Sequence, residues 1–162
     1  MHHIRSAEFI DLQQIVGFLK VNGLPTVGIE SWCPNFVIAT DEKGTLIGVA
    51  GLEIYGRVAL LRSVAVEKNS RRSGHGRALV EAVLGTAKRS GVHTIYLLTE
   101  TASGYFKHLG FDLVDRKDID GAVMASLEFT ECRSTALAMR KTISSQQHRN
   151  PKIQPQYNLL RK

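Results

Sequence analysis

The chain has 162 residues, 43% of them apolar and 22% charged, and a formal charge of +6. One globular domain with a sizeable core accounts for these figures. No apolar run nears the roughly 18 residues that a membrane helix needs, and "MHHIRSAEFI" has neither the apolar stretch nor the cleavage pattern of a signal peptide.

In chain order, Leu12, Ile15, Val16 and Leu19 share one helical face and predict a first helix over about 8–21. Asn22-Gly23 and then Pro25 stop it. Residues 26–34 read as loop, with Trp32 as a packing anchor. "NFVIAT" (35–40) reads as a strand and "DEKG" (41–44) as its turn. "LIGVAGLEIYG" and "VALLRSVAV" read as two long strands joined by a hairpin turn near Gly56-Arg57. That turn sets Glu53 opposite Leu60 and puts Arg62 diagonally beside Glu53 on the same sheet face.

A long helix over about 75–90 follows. Leu79, Val80, Val83, Leu84 and Ala87 form its stripe, and Gly91 is its C′ residue. "TIYLLT" (94–99) reads as a strand, "TASGYFKHL" as a short helix stopped by Gly110, and "FDLVDR" as another strand. Residues 119–129 read as helical and "TALAMRKTI" (135–143) as the last strand. This order predicts a mixed α/β or α+β domain on one central sheet over residues 1–143. Residues 144–162 read as a tail, mobile or docked on a partner subunit. Its Arg149, Lys152, Arg161 and Lys162, with no acid, supply +4 of the total +6. No basic stripe is interleaved with aromatics, so no nucleic-acid partner is expected. Cys33 and Cys132 lack a CxxC neighbour and the histidines are scattered, so no metal site is expected. With no export signal, reduced thiols in a cytoplasmic protein are the expectation.

"RRSGHGRAL" (71–79) stands between a strand ending at Val66 and the long helix. A helix N-terminus presents unpaired amides and a partial positive charge, and glycines let the backbone curl around an anion. Arg71, Arg72 and Arg77 add charge at the end where the helix dipole disfavours it, by roughly 0.3–1 kcal/mol each. A bound phosphate resolves that conflict; the alternative is a helix cap with a solvated basic first turn. GxxxxGK[ST] is absent, and no glycine follows Gly76 at the Rossmann spacing.

Glu53 sits in an otherwise apolar strand and is the candidate general base, with Arg62 as the candidate holder of a substrate anion. The alternative is a structural Glu53–Arg62 ion pair.

Arg71-x-x-Gly74-x-Gly76, with "LLRSVAV" before it and "YFKHLGF" after it, resembles the signature of the GNAT N-acetyltransferase superfamily. Within it, "GLEIYG", "LLTETA" and "EFTEC" look like the arsenic-resistance-associated (ArsN-type) acetyltransferases. "LRSVAV" and "LLTETA" also resemble the acetyltransferase modules of glutamate N-acetylating enzymes. The resemblance implies a GNAT fold whose two middle strands, at about 60–66 and 94–99, splay apart to admit acetyl-CoA. It implies a cofactor site over Val64, Ala65, Val66, Arg71, Arg72, Ser73, Gly74, His75, Gly76 and Arg77, with Thr101 and Phe106 alongside. The acceptor implied is a small amino-acid-like amine, with glutamate or a protein amine as the alternative, and homodimerisation is a further expectation. Phe106 stands where many superfamily members have tyrosine, so Tyr105, Thr99, Thr101 or water are candidates to protonate the departing thiolate. Phe106 also keeps open a non-catalytic acetyl-CoA sensor.

Overall fold

A computed structural model describes residues 2–131 and 135–143; Cys132 and the 144–162 tail lie outside the described residues. One seven-stranded sheet organises the chain. Its strands are β1 (His3–Ser6), β2 (Val37–Thr40), β3 (Leu46–Tyr55), β4 (Val58–Val66), β5 (Thr94–Thr99), β6 (Asp112–Val114) and β7 (Leu137–Thr142). The spatial order is β1-β2-β3-β4-β5-β7-β6. Every neighbouring pair is antiparallel except β4 and β5.

The helices are α1 (Leu12–Val21), α2 (Ile29–Trp32), α3 (His75–Arg89), α4 (Ser103–His108) and α5 (Glu128–Glu131). The stripe of α3 is buried as its periodicity requires: Leu79, Val80, Val83 and Ala87 pack with Leu52, Leu61, Ile95, Phe106 and Phe111. Ile15 and Leu19 of α1 pack with Ile29, Cys33, Phe36 and Ile38 in a separate cluster. The period-two alternation of β2 divides its side chains between the two clusters, with Val37 and Ala39 in the first and Ile38 in the second. Burial pushes the Cys33 thiol above its ordinary pKa, as suits a packed cysteine.

Gly91, at φ +81, closes α3. Its amide donates to the Lys88 carbonyl and the Val92 amide to that of Ala87, which satisfies two carbonyls at the helix end.

Three stretches differ from the sequence reading. Strand β1 was not expected: all four residues are exposed, so no apolar alternation marks it, and its pairing with β2 makes it a strand. Residues 26–34 contain α2 and the start of a 3₁₀ turn, Cys33–Asn35. The helix expected over 119–129 is broken into the 3₁₀ turn Val123–Ala125 and α5. Ser126 is extended there, and its Oγ accepts from the Glu128 amide, a local bond that competes with helix. Ile119 and Val123 are instead fixed by packing on Val58, Leu60 and Tyr96.

Candidate active site

Strand β4 turns the sheet into a cleft. It pairs with β5 only from Val58↔Thr94 to Leu60↔Tyr96, and then the two strands part. Its later backbone is therefore without β5 as partner. β4 also carries an extra residue: Arg62 faces Gly51 and Ala65 faces Val49, so Ser63 and Val64 together stand opposite Ala50. Ser63 takes up the bulge at φ +59. The insertion returns Val64 and Val66 to the side of the sheet that packs on α3.

The cleft between the parted strands has a volume of about 550 Å³. Val64, Ala65 and Val66 form one wall, Thr101, Tyr105 and Phe106 another, and Arg71, Arg72, Gly74, Gly76 and Arg77 its outer end. Gly74, at φ +83, precedes α3 and no side chain caps the helix. Arg72 is also left-handed, at φ +68. Such a conformation is uncommon for a residue with a Cβ, and here it curls the backbone before a helix whose first amides have no partner within the helix. Among the described residues this is the strongest anion seat on the cleft.

Arg71 is more committed than the sequence suggested. Its Nε donates to the Val66 carbonyl at 2.9 Å and its Nη2 to Asn22 Oδ1 at 3.2 Å. Arg77 pairs with Glu81 one turn on, both exposed. Ser73 and His75 do not line the cleft: His75 is buried, with Nδ1 2.9 Å from the Ser70 carbonyl and 2.8 Å from Ser73 Oγ. Gly76 makes room for Tyr105, whose hydroxyl would lie 2.5 Å from a Cβ at that position. The Tyr105 hydroxyl is thus at the end of the cleft nearest α3. Burial raises its pKa, partly offset by Arg77.

A second cavity of about 490 Å³ joins the first through Leu24, Val64, Thr101, Ala102 and Phe106, which line both. Its own wall includes Arg62, Ser63, Thr99 and Glu128. Behind that wall lies a buried charge cluster. Arg62 Nη1 is 2.8 Å from Glu53 Oε2, and Arg62 Nε is 3.6 Å from Glu128 Oε2. All three residues are nearly inaccessible, with Arg62 and Glu53 each 2% exposed. Arg62 also donates to the carbonyls of Val27 and Pro25 and to Ser63 Oγ. Tyr55 donates its hydroxyl to Glu53 Oε1.

Burial first, and then the bond to Glu53, push the Tyr55 phenol up to about 12. The folded-state value exceeds the ordinary one near 10. The fold therefore holds this proton more tightly than the unfolded chain does. Its contribution to stability is complete below about pH 10 and is lost as pH rises towards about 12. Phenolate absorbance of the native protein should show one tyrosine titrating late, and Tyr55→Phe should abolish that late step. A titration curve unchanged by the substitution would place the raised phenol elsewhere.

The structure brings most of the sequence-predicted residues together. Val64, Ala65, Val66, Arg71, Arg72, Gly74, Gly76, Arg77, Thr101 and Phe106 converge on one cleft. Glu53 and Arg62 are partners, as the hairpin register required. Two members of the charge cluster were missed. Tyr55 lies two residues from Glu53 on the same strand face, which period-two alternation could have flagged. Glu128 arrives at the start of α5, far along the chain, and carries no comparable signal. Among the described residues, no group of three metal-ligating side chains occurs, and no helix is long and apolar enough to cross a membrane.

Comparisons with known proteins bear on this cleft. The profile of the acetyltransferase (GNAT) family matches residues 7–111. An uncharacterized N-acetyltransferase of Chlorobaculum tepidum is 34% identical over 84 residues, 51% of this chain and 53% of its own length. An amino-acid acetyltransferase of Pasteurella multocida is 32% identical over 81 residues, 49% of this chain but 18% of its own length. The chain thus spans about half or less of the length of these relatives. Among solved structures, N-acetylglutamate synthase from Neisseria gonorrhoeae, complexed with coenzyme A and N-acetyl-glutamate, superposes with a TM-score of 0.76. Its identity is 16%, over 89% of this chain and 35% of that one. A GNAT-family acetyltransferase from Staphylococcus aureus gives 0.73 at 15% identity, over 89% and 100% of the two chains. At these identities the likeness is one of fold.

Proposed function

Because the chain belongs to the acetyltransferase (GNAT) family, we propose that it moves the acetyl group of acetyl-CoA to the amine of a small, amino-acid-like acceptor. The observation that carries the reading is the cleft opened where β4 leaves β5, with an uncapped helix N-terminus at one end and a second cavity at the other.

In this reading the pyrophosphate of acetyl-CoA rests on the amides of Arg72 to Arg77, in the field of the α3 N-terminus. The pantetheine arm runs along Val64 to Val66, where its amides can pair with strand backbone that β5 has left. The thioester then reaches the junction beside Phe106, and the acceptor occupies the second cavity. Attack is direct. The neutral amine nitrogen bonds to the thioester carbon, the carbon–sulfur bond breaks, and the amine loses a proton. CoA leaves as thiolate, whose modest pKa makes it a fair leaving group, and takes a proton from solvent. Phe106 has none to give, and the Tyr105 hydroxyl stands at the α3 end.

Glu53 is the proposed base. Both its oxygens already accept a bond, so it takes the amine's proton through water at its remaining lone pairs. Thiol release from acetyl-CoA, measured across free amino acids, phosphinothricin-like and arsenical amino acids and polyamines, tests the activity. Glu53→Gln should lower turnover by roughly 10²–10⁴-fold while leaving acetyl-CoA affinity intact. Saturable acetyl-CoA binding with no turnover on any amine would favour a sensor instead.

Glutamate is a specific second candidate within the panel. The resemblance of "LRSVAV" and "LLTETA" to glutamate N-acetylating modules motivates it, and the amino-acid acetyltransferases whose sequences match about half of this chain favour an amino-acid acceptor in general. The arsenic-resistance-type resemblance of "GLEIYG" and "YFKHLGF" motivates the arsenical arm.

A further inference from the structure

We propose that His75 is a positioning residue for the cofactor, its buried side chain holding the arginine–glycine loop in the shape that leaves the first amides of α3 free for a pyrophosphate. This rests on the acetyltransferase reading above. The imidazole does not line the cleft, so it acts through the backbone of the loop.

A helix start is commonly fixed by a Ser, Thr, Asp or Asn side chain that accepts from one of the first amides. Such a cap occupies donors that a phosphate needs. α3 has no side-chain cap. Ser73 stands just before Gly74, but its hydroxyl turns the other way and donates to the Ser70 carbonyl at 2.5 Å. His75 Nδ1 lies 2.9 Å from the same carbonyl oxygen and 2.8 Å from Ser73 Oγ. A carbonyl only accepts, so Nδ1 carries the proton. Both bonds therefore close residues 70–75 onto one carbonyl and draw on no helix amide.

The enclosed segment holds two left-handed residues, Arg72 at φ +68 and Gly74 at φ +83. A residue with a Cβ persists there only where its surroundings over-determine it. The bond from His75 to Ser70 constrains Arg72 from both sides. Ser70 is anchored in turn: its amide donates to the Glu67 carbonyl and its hydroxyl to Glu67 Oε2, each at 2.9 Å. The Glu67 amide donates to the Ile47 carbonyl of β3 at 2.8 Å, which ties the loop to the sheet.

The other ring nitrogen shows that packing alone does not account for a histidine. His75 is 6% exposed, and its Nε2 is buried without a hydrogen-bond partner. The His2 ring stands edge-on to it, with centroids 3.8 Å apart. A buried polar atom without a partner opposes folding, and an apolar side chain would strand none. What histidine supplies here and leucine cannot is the Nδ1–H donor.

The test measures binding of CoA, and of pantetheine, which lacks the pyrophosphate, to the full chain. His75→Leu should raise the Kd of CoA about tenfold and leave that of pantetheine in place. His75→Asn should restore CoA binding, because its amide nitrogen is attached to Cγ as Nδ1 is. His75→Gln should not, because its amide reaches the position of Nε2, which makes no bond. A merely structural role would weaken both ligands together and would not separate His75→Asn from His75→Gln. Parent-like CoA affinity in His75→Leu, or an equal loss for CoA and pantetheine, overturns the proposal while the acetyltransferase reading stands. A parent chain that binds no CoA defeats that reading instead. If His75→Leu does not fold, His75→Asn and His75→Gln carry the test. Tighter CoA binding by the first then supports the assignment, and equal binding overturns it.

Discussion

Arg62→Met should destabilise the fold by about 3–5 kcal/mol, the usual cost of removing one partner from a buried ion pair. Methionine fills similar space, so lost packing contributes little. What it leaves behind is costly. Glu53 would remain buried without its guanidinium, and the Val27 and Pro25 carbonyls would lose their donor. Those carbonyls belong to the segment linking α1 to α2, so the acceptor cavity should loosen as well. Denaturant midpoints give the direct measure. Adding Glu53→Gln to Arg62→Met should recover part of the loss, because one uncompensated charge is removed. A midpoint unmoved by Arg62→Met would mean that water or another cation solvates Glu53. By contrast, breaking the exposed Arg77–Glu81 pair should hardly register.

Gly74→Val should weaken CoA binding by about tenfold to a hundredfold. At φ +83 a β-branched side chain is strained by about 1–3 kcal/mol. The backbone relieves that strain by leaving the curl that aims the first amides of α3 outward. No other heavy atom lies within 4 Å of a Cβ built at Gly74, so steric collision is not the cause. Stability should change less than affinity, since Gly74 sits on the surface rim of the cleft. Calorimetric titration with CoA checks the first expectation and a thermal melt the second. Unaltered affinity would move the pyrophosphate away from this turn.

How much of this was legible beforehand follows from the physics of each signal. Helix α3 and the β3–β4 hairpin were clear, because a buried stripe and a two-residue turn both leave periodic traces in sequence. The Glu53–Arg62 pair followed from the same register. The bulge at Ser63 left no trace, since serine does not advertise φ +59. Strand β1 was hidden because pairing with β2, rather than burial, makes it a strand. Residues 119–129 misled because their apolar side chains satisfy a sheet face while the backbone breaks at Ser126. Glu128 was beyond reach for a further reason: its meaning depends on an arginine brought close only by the tertiary fold.

The strand order carries a consequence for how the chain is made. Among the described residues β7 is the last strand in sequence, yet it lies between β5 and β6, which precede it. Until residues 137–142 emerge from the ribosome, β5 has an open edge along its whole length and β6 has no neighbour at all. Such an edge is a template for pairing with other chains. The nascent chain is therefore exposed to misassociation late in synthesis. Truncations that remove β7 should express chiefly as aggregate, even though they leave both the arginine–glycine loop and Glu53 in place.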